Sequence, residues 1–163
     1  MKAARLTHVG ATGEARMVDI SDKPATAREA RARGAVRMTR EALDAINAGN
    51  LPKGDVITTA RIAGIQAAKR TSELIPMCHP LLLTVIDVEC VLDSELPGVR
   101  IESVVRCEAK TGAEMEALTA VAVAALTVID MAKSADRWMS IEGLALVEKR
   151  GGKSGAQRRP KER

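Results

Sequence analysis

The alternation of hydrophobic and polar positions divides this chain into segments with strand or helix periodicity. Residues 82–92 and 99–109 are rich in Val and Ile and are separated by Pro97-Gly98, which predicts two strands joined by a turn. Residues 139–147 predict a further strand. The Arg- and Ala-rich segment 27–38 fits either a strand or a helix, and its pattern leaves both alternatives open.

Two helices are predicted between residues 39 and 72. Thr39 is placed to cap a short helix that Gly49 ends. Asp55 is placed to cap a second helix that reaches about Ser72. Small residues dominate one stripe of this second helix, with Gly64 nearby, which indicates a closely packed helix face. The stripe consists of Val56, Ala60, Ala63 and Ala67.

A long apolar helix is predicted to begin after Thr111. Residues 111–114 fit a capping box in which Glu114 is the third helical residue. One face of this helix is then formed by Met115, Leu118, Ala122, Leu126 and Ile129. If residues 27–38 form a strand, the order is βαββαβ, the ferredoxin-like α+β arrangement of an antiparallel sheet with helices packed on one face. We predict one such domain over residues 1–155, including an N-terminal extension, and a mobile basic tail over residues 156–163.

Composition narrows the classes of partner. The chain has 163 residues, of which 46% are hydrophobic, so it can bury a core without disulfides or metals. Phe and Tyr are absent and Trp138 is the one Trp, which argues against modules that stack single-stranded nucleic acid on aromatic side chains. The net charge of +4 fits an anionic ligand. Composition therefore fits an anionic ligand, and we expect no nucleic-acid partner.

The cysteines and the apolar runs predict a cytoplasmic protein. The three cysteines lack C-x-x-C spacing, which favours reduced thiols. The N-terminus lacks a signal-peptide core, and the longest apolar run, residues 117–129, is shorter than the ~20 residues that cross a bilayer. Cys78 and His79 have no second Cys/His pair close in sequence. We predict no membrane association and no zinc site.

Four side chains are suited to proton transfer or anion binding. His79 precedes Pro80 in a stiffened loop, where its imidazole fits either a substrate contact or a structural role. Lys53 lies beside a predicted helix N-terminus that favours an anion, although a solvated lysine beside an N-cap aspartate fits this position better. Asp130 and Lys133 are three residues apart on the long helix, so their side chains can meet. The spacing fits a surface ion pair, but Asp130 opposes the helix dipole within an apolar run, which makes it a candidate site residue.

Glu114 and Glu116 lie in the first turn of the long helix, where the dipole favours carboxylates. Glu116 and Asp130 are 14 residues apart, which places them about 40° apart around the helix axis and roughly 21 Å apart along it. One small site cannot use both from one copy of the helix. If both serve one reaction, the site combines two chains.

At these motifs the sequence resembles the cyclic pyranopterin monophosphate synthase family of molybdenum-cofactor biosynthesis. The resemblance extends from about His8 to Gly155 and leaves the basic tail outside it. The matching segments are residues 17–21 (MVDIS), 53–56 (KGDV), 59–65 (TARIAGI), 74–80 (LIPMCHP), 110–118 (KTGAEMEAL), 129–133 (IDMAK) and 151–155 (GGKSG). Each segment alone is a weak signal, but together and in this order they are specific.

The resemblance implies a ferredoxin-like subunit in a homohexamer, a trimer of dimers with active sites at subunit interfaces. It also implies a reaction. The substrate would be 3′,8-cyclo-7,8-dihydroguanosine 5′-triphosphate, which is rearranged to cyclic pyranopterin monophosphate with release of pyrophosphate. The five-membered ring of the dihydropurine opens, a pterin ring closes, and a sugar hydroxyl attacks the innermost phosphate. Mg²⁺ could accompany the triphosphate, and no protein-bound cofactor is implied.

The resemblance assigns roles by motif position. Asp130 matches an active-site residue, with Lys133 and Lys53 as partners for proton transfer and charge stabilisation. The substrate-binding positions are Met77, Cys78, His79, Met115, Glu116, Glu114, Arg28 and Lys149. Two alternatives stay open: a basic module that binds nucleic acid through the tail, and an enzyme on another phosphorylated metabolite.

Overall fold

The computed structural model describes residues 14–160, which form one five-stranded antiparallel sheet and four helices. The strands are β1 (Thr26–Arg37), β2 (Leu83–Asp93), β3 (Gly98–Ala109), β4 (Ser140–Arg150) and β5 (Gln157–Arg158). The helices are α1 (Arg40–Asn47), α2 (Val56–Lys69), α3 (Thr71–Leu74) and α4 (Glu114–Ala132). The strand order across the sheet is β2-β3-β1-β4-β5. The ambiguous segment 27–38 is therefore a strand, and the ferredoxin-like α+β prediction is confirmed.

Strand β1 lies at the centre of the sheet, between β3 and β4. Its pattern alternates strictly, so that Ala30, Ala32 and Val36 are buried against the helices. The residues between them belong to the opposite face, where Glu29 accepts a hydrogen bond from Arg106 of β3 at 2.6 Å. The sheet is thus apolar towards the helices and charged on its other side.

The caps predicted for the first two helices are confirmed. Thr39 accepts a hydrogen bond through its Oγ1 from the Ala42 amide at 3.3 Å. Asp55 accepts one through Oδ1 from the Thr58 amide at 2.9 Å. The second helix ends at Lys69 and is followed by the short helix α3, so the prediction that it reached Ser72 was wrong by three residues.

Helices α2 and α4 pack closely, as the stripe of small residues in α2 predicted. Gly64 is buried, and a Cβ added to it would lie 2.8 Å from the backbone oxygen of Ala120. Ala63, which was predicted to share the stripe, is only half-buried, so the contact surface is centred on Gly64. The absence of a side chain at Gly64 is what allows the two helix backbones to approach.

The capping box predicted for α4 is absent. The helix begins at Glu114 with Ala113 as its N-cap and no side-chain cap, so there is no capping box. The Glu114 carboxylate instead turns back over Gly112 and pairs with Lys149 on β4 at 3.2 Å. The predicted apolar face is the less buried side of α4, since Leu126 is 57% exposed, although Leu118 and Ile129 are half-buried against the core. The buried face is built mainly from small residues, including Ala117, Ala120, Val121, Ala124, Val128 and Ala132.

Helix α4 is long and apolar enough to cross a membrane by length and composition alone, with 19 residues and a mean hydropathy of 1.7. Half of the residues in that window are buried within the domain, as in the core helices of globular proteins. The helix is followed by a loop in which Trp138 is 91% exposed.

The beginning of the predicted tail is paired with the sheet. Gln157 and Arg158 form β5 alongside Lys149 and Glu148 of β4, and the Arg158 guanidinium lies 3.2 Å from the Glu148 carboxylate. The first 13 residues of the chain, which include His8 and the start of the predicted extension, lie outside the described residues, as do the last three residues of the tail.

Candidate active site

Three of the predicted residues meet at the C-terminal end of α4. Asp130 lies in the last turn of this helix, and Lys133 is the first residue after the helix ends. Lys53 lies in the loop before α2. Lys53 Nζ is 2.5 Å from Asp130 Oδ2, and Lys133 Nζ is 2.7 Å from Asp130 Oδ1. Each oxygen of the Asp130 carboxylate therefore accepts a hydrogen bond from a different ammonium group. The Asp130 side chain is 55% exposed, so a ligand can reach the cluster.

The two ammonium groups explain how a carboxylate is tolerated at this end of the helix. The negative end of the helix dipole disfavours an anion there. The hydrogen bond from Lys133, followed by that from Lys53, lowers the pKa of Asp130 to about 2. Asp130 is thus ionised at neutral pH, and the cluster of one carboxylate and two ammonium groups has an excess of positive charge.

A cavity of about 400 Å³ lies at the opposite end of α4. Pro76 and Pro80 bracket one part of its wall, and the amide of Cys78 donates to the Ile75 carbonyl in a tight turn at 3.0 Å. The loop thereby places Met77, Cys78 and His79, three consecutive predicted residues, opposite the first turn of α4. The predicted residues that line the cavity are Met77, Cys78, His79, Glu114, Met115 and Glu116.

Glu116 is the most buried acidic group in this cavity, with 4% of its surface exposed. Burial raises its pKa, and the nearby Glu114 carboxylate adds to the increase. Burial also raises the pKa of the Cys78 thiol, to which the charge of Glu116 contributes. The cavity therefore contains a carboxyl group that is more readily protonated than an ordinary glutamic acid.

A second, larger cavity of about 750 Å³ adjoins the first and shares Lys23, Thr111, Gly112 and Glu114 with it. Five basic residues line this second cavity, against two acidic ones. The basic residues are Lys23, Arg28, Lys110, Lys149 and Lys153. Arg28 and Lys149 were predicted from sequence, but the other three were not, because they are scattered over 130 positions and form a group only after folding.

Glycine shapes one wall of the second cavity. Gly152 has a φ of +69°, and a Cβ at this position would collide with the Arg28 guanidinium. Arg28 itself donates to the carbonyl oxygens of Ala109 and Lys110 at 3.4 and 3.5 Å. The glycine pair at 151–152 thus lets the loop lie directly against Arg28 and keeps the guanidinium beside the cavity.

Within one chain the predicted residues form two groups, as the spacing of Glu116 and Asp130 along α4 predicted. Lys53, Asp130 and Lys133 lie at one end of α4, and the remaining eight lie around the two cavities at the other. The separation between Glu116 and Asp130 along the helix is roughly 21 Å, from the rise of 1.5 Å per residue. Within residues 14–160, no group of three or more His, Cys, Asp and Glu side chains is arranged to hold a metal ion.

The fold and these groups define an α+β enzyme whose site is suited to a small, negatively charged metabolite. Comparison with known proteins identifies it further. The chain belongs to the MoaC family, whose family model matches residues 17–152.

Curated relatives with high identity share one name. A cyclic pyranopterin monophosphate synthase of Methylobacterium sp. (strain 4-46) is 62% identical over 153 residues, which cover 94% of this chain and 96% of that relative. One from Methylobacterium nodulans is 60% identical and covers 92% and 94% of the two chains. One from Nostoc sp. (strain PCC 7120) is 56% identical and covers 94% and 91%. The similarity therefore extends over nearly the whole of each protein.

Proposed function

We propose that this chain catalyses the reaction for which its relatives are named, the formation of cyclic pyranopterin monophosphate in molybdenum-cofactor biosynthesis. The substrate is 3′,8-cyclo-7,8-dihydroguanosine 5′-triphosphate. The observation that carries the proposal is the pair of groups around α4, one with a carboxylate between two ammonium groups and one with cationic and acidic cavities. The triphosphate of the substrate requires cationic groups. The ring system, which must open and close, requires groups that donate and accept protons.

The cationic cavity suits the triphosphate. In the cyclisation, a sugar hydroxyl attacks the innermost phosphorus atom, and the bond from that phosphorus to the pyrophosphate oxygen breaks. Negative charge moves onto the departing pyrophosphate, where Arg28 and Lys149 can stabilise it. No carboxylate within residues 14–160 pairs with Lys23 or Lys153, so both ammonium groups are available to phosphate oxygens.

The ring chemistry requires proton donors and acceptors. In this proposal, Lys53 and Lys133 supply the protons, and Asp130 holds both ammonium groups in place as a fixed anion. The cavity lined by Met77, His79 and Met115 receives the dihydropurine, and Glu116 offers a carboxyl group to its ring nitrogens.

The test is incubation of the purified protein with the cyclic dihydronucleotide triphosphate, monitoring pyrophosphate and the fluorescent pterin that forms on oxidation. We expect Asp130→Asn to lower kcat at least 100-fold, because it removes the anion that orients two ammonium groups. Asp44→Asn, at an exposed position of α1, is the matched control and is expected to retain wild-type turnover. A wild-type protein that releases no pyrophosphate would contradict the proposal, and near-normal turnover by Asp130→Asn would remove this residue from the mechanism.

We further propose that each active site is built from two chains within a homohexamer, a trimer of dimers. The length of α4 between Glu116 and Asp130 supports this, because one chain cannot bring both to a single small substrate. Large apolar side chains exposed on the helix layer, among them Ile62 and Leu126, offer surface for such contacts. Light scattering is expected to give a mass close to six times 17.3 kDa.

The proposed enzyme acts in the cytoplasm without a protein-bound metal or cofactor, and any Mg²⁺ arrives with the triphosphate. Its reduced cysteines support the location, since all three are free thiols. Metal analysis of the active protein, together with assays across Mg²⁺ concentrations, separates a resident ion from one that accompanies the substrate.

A further inference from the structure

Residues 18–24, here called the strap, form a wall that the two cavities share. Val18 and Ile20 line the smaller cavity, and Asp22 and Pro24 line the larger one. Lys23 lines both, so this residue lies where the cavities join. It is also the one basic residue of the strap.

The strap is folded locally but is tied to the sheet through Lys110. The Ser21 amide donates to Asp19 Oδ1 at 2.8 Å, and the Lys23 amide donates to the Ile20 carbonyl at 3.1 Å, so these bonds lie within the strap. Lys110, directly after β3, donates through Nζ to the Ser21 carbonyl at 2.6 Å. A charge-assisted bond of this length is among the stronger hydrogen bonds in proteins.

We propose that Lys110 is a positioning residue that holds the strap against the sheet and thereby directs Lys23 at the phosphate chain of the substrate. The inference rests on the proposed function for the identity of the ligand. Lys110 has its own ammonium group engaged by Ser21, whereas Lys23 has no carboxylate partner within residues 14–160. Lys110 therefore acts on phosphate binding through Lys23 rather than by contact of its own.

The position of the strap can be tested without substrate, by hydrogen–deuterium exchange of peptides that cover residues 17–25 in the free protein. We expect Lys110→Met to accelerate exchange of these amides at least fivefold, because the strap loses its bond to the sheet. Lys110→Arg retains a cationic donor and is expected to stay within twofold of wild type. Lys69→Met, at an exposed position of α2, is the control for the loss of a lysine. Unchanged exchange in Lys110→Met would overturn the proposal.

The link to Lys23 can be tested with inorganic triphosphate in calorimetric titrations. We expect Lys23→Met and Lys110→Met each to weaken binding about tenfold, the loss of one charged contact. In the Lys23→Met background, Lys110→Met should weaken binding less than twofold further, since the group that it positions is already absent. A second full tenfold loss would mean that Lys110 contacts phosphate itself, and would overturn the positioning role.

Turnover separates this inference from the proposed function. With the cyclic dihydronucleotide triphosphate, Lys110→Met should raise KM about tenfold and leave kcat within about twofold, because binding is affected more than chemistry. An unchanged KM would count against the inference. If the wild-type protein shows no turnover while the exchange and triphosphate results are as expected, the proposed function fails and the role of Lys110 stands.

Discussion

Glu116 and Asp130 lie on the same helix but in opposite surroundings. Glu116 is buried beside a second carboxylate, and both conditions raise its pKa. Asp130 is exposed and receives two ammonium groups, which lower its pKa to about 2. Two carboxyl groups whose pKa values are moved apart are suited to different tasks, one exchanging a proton and the other remaining an anion.

The burial of Glu116 makes stability depend on pH. Because its pKa is higher in the folded state than the ordinary 4.5, the folded protein binds more protons than the unfolded chain as pH rises from that value. The contribution of Glu116 to the free energy of unfolding is therefore greatest below pH 4.5 and is lost as pH rises through the folded-state pKa. We expect Glu116→Gln to gain stability relative to wild type as pH rises above 4.5.

Urea unfolding at several pH values measures this difference. Glu73→Gln, which alters an exposed glutamate of α3, is the control and should show no such trend. A stability difference between wild type and Glu116→Gln that stays constant across this range would show that the carboxyl group is not strained by burial.

At the scale of elements, the contact between α2 and α4 depends on the absence of side-chain atoms. Gly64 lets α2 approach the backbone of α4 at Ala120, and the buried face of α4 is likewise rich in alanine. Glycine costs a helix up to ~1 kcal/mol relative to alanine. The close approach of the two helices offsets that cost through packing.

Gly64→Ala is expected to destabilise the protein by about 1–2 kcal/mol although alanine favours helices. The added Cβ would lie 2.8 Å from the backbone oxygen of Ala120, so the helices must separate. Thermal or urea unfolding measures the change. Gln66→Ala, an exposed substitution in the same helix, should stay within about 0.5 kcal/mol of wild type. A Gly64→Ala variant as stable as wild type would show that α2 can move away from α4 without a loss of stability.

The contact between α2 and α4 also shows which parts of the fold could be predicted from the sequence. Helix caps are local, so Thr39 and Asp55 could be identified from their neighbours alone. The buried face of α4 could not be predicted, because α4 is apolar around most of its circumference and its larger side chains do not mark the buried side. Its orientation is set by the small residues that α2 and the sheet require, which depend on tertiary contacts.

At the scale of the molecule, the candidate site is divided between the two ends of α4. The spacing of Asp130 and Lys133 could be read along one helix, but the bond from Lys53 spans 77 positions of sequence and depends on how α2 packs beside α4. The basic residues of the larger cavity likewise come from distant segments. Sequence motifs therefore marked most of the residues of the candidate site, and the spacing along α4 already separated Glu116 from Asp130. The motifs could not show which basic residues from distant segments meet at the larger cavity.

This division leads to a prediction about mixed assemblies. If a site combines Glu116 of one chain with Asp130 of another, a dimer of Glu116→Ala and Asp130→Asn chains contains one intact site and one doubly altered site. With random mixing of two inactive variants, about a quarter of wild-type activity should return. Co-expression with two affinity tags and assay of the doubly purified species measures this. Mixed assemblies that stay inactive would indicate that every site lies within one chain.

The exposed Trp138 has a practical consequence. Its indole is the one fluorophore of its kind in the chain. In the isolated subunit it lies almost fully in water, five residues beyond Lys133. The wavelength of the Trp138 emission maximum, followed as the protein is diluted, therefore reports without any added dye whether a neighbouring subunit covers this loop.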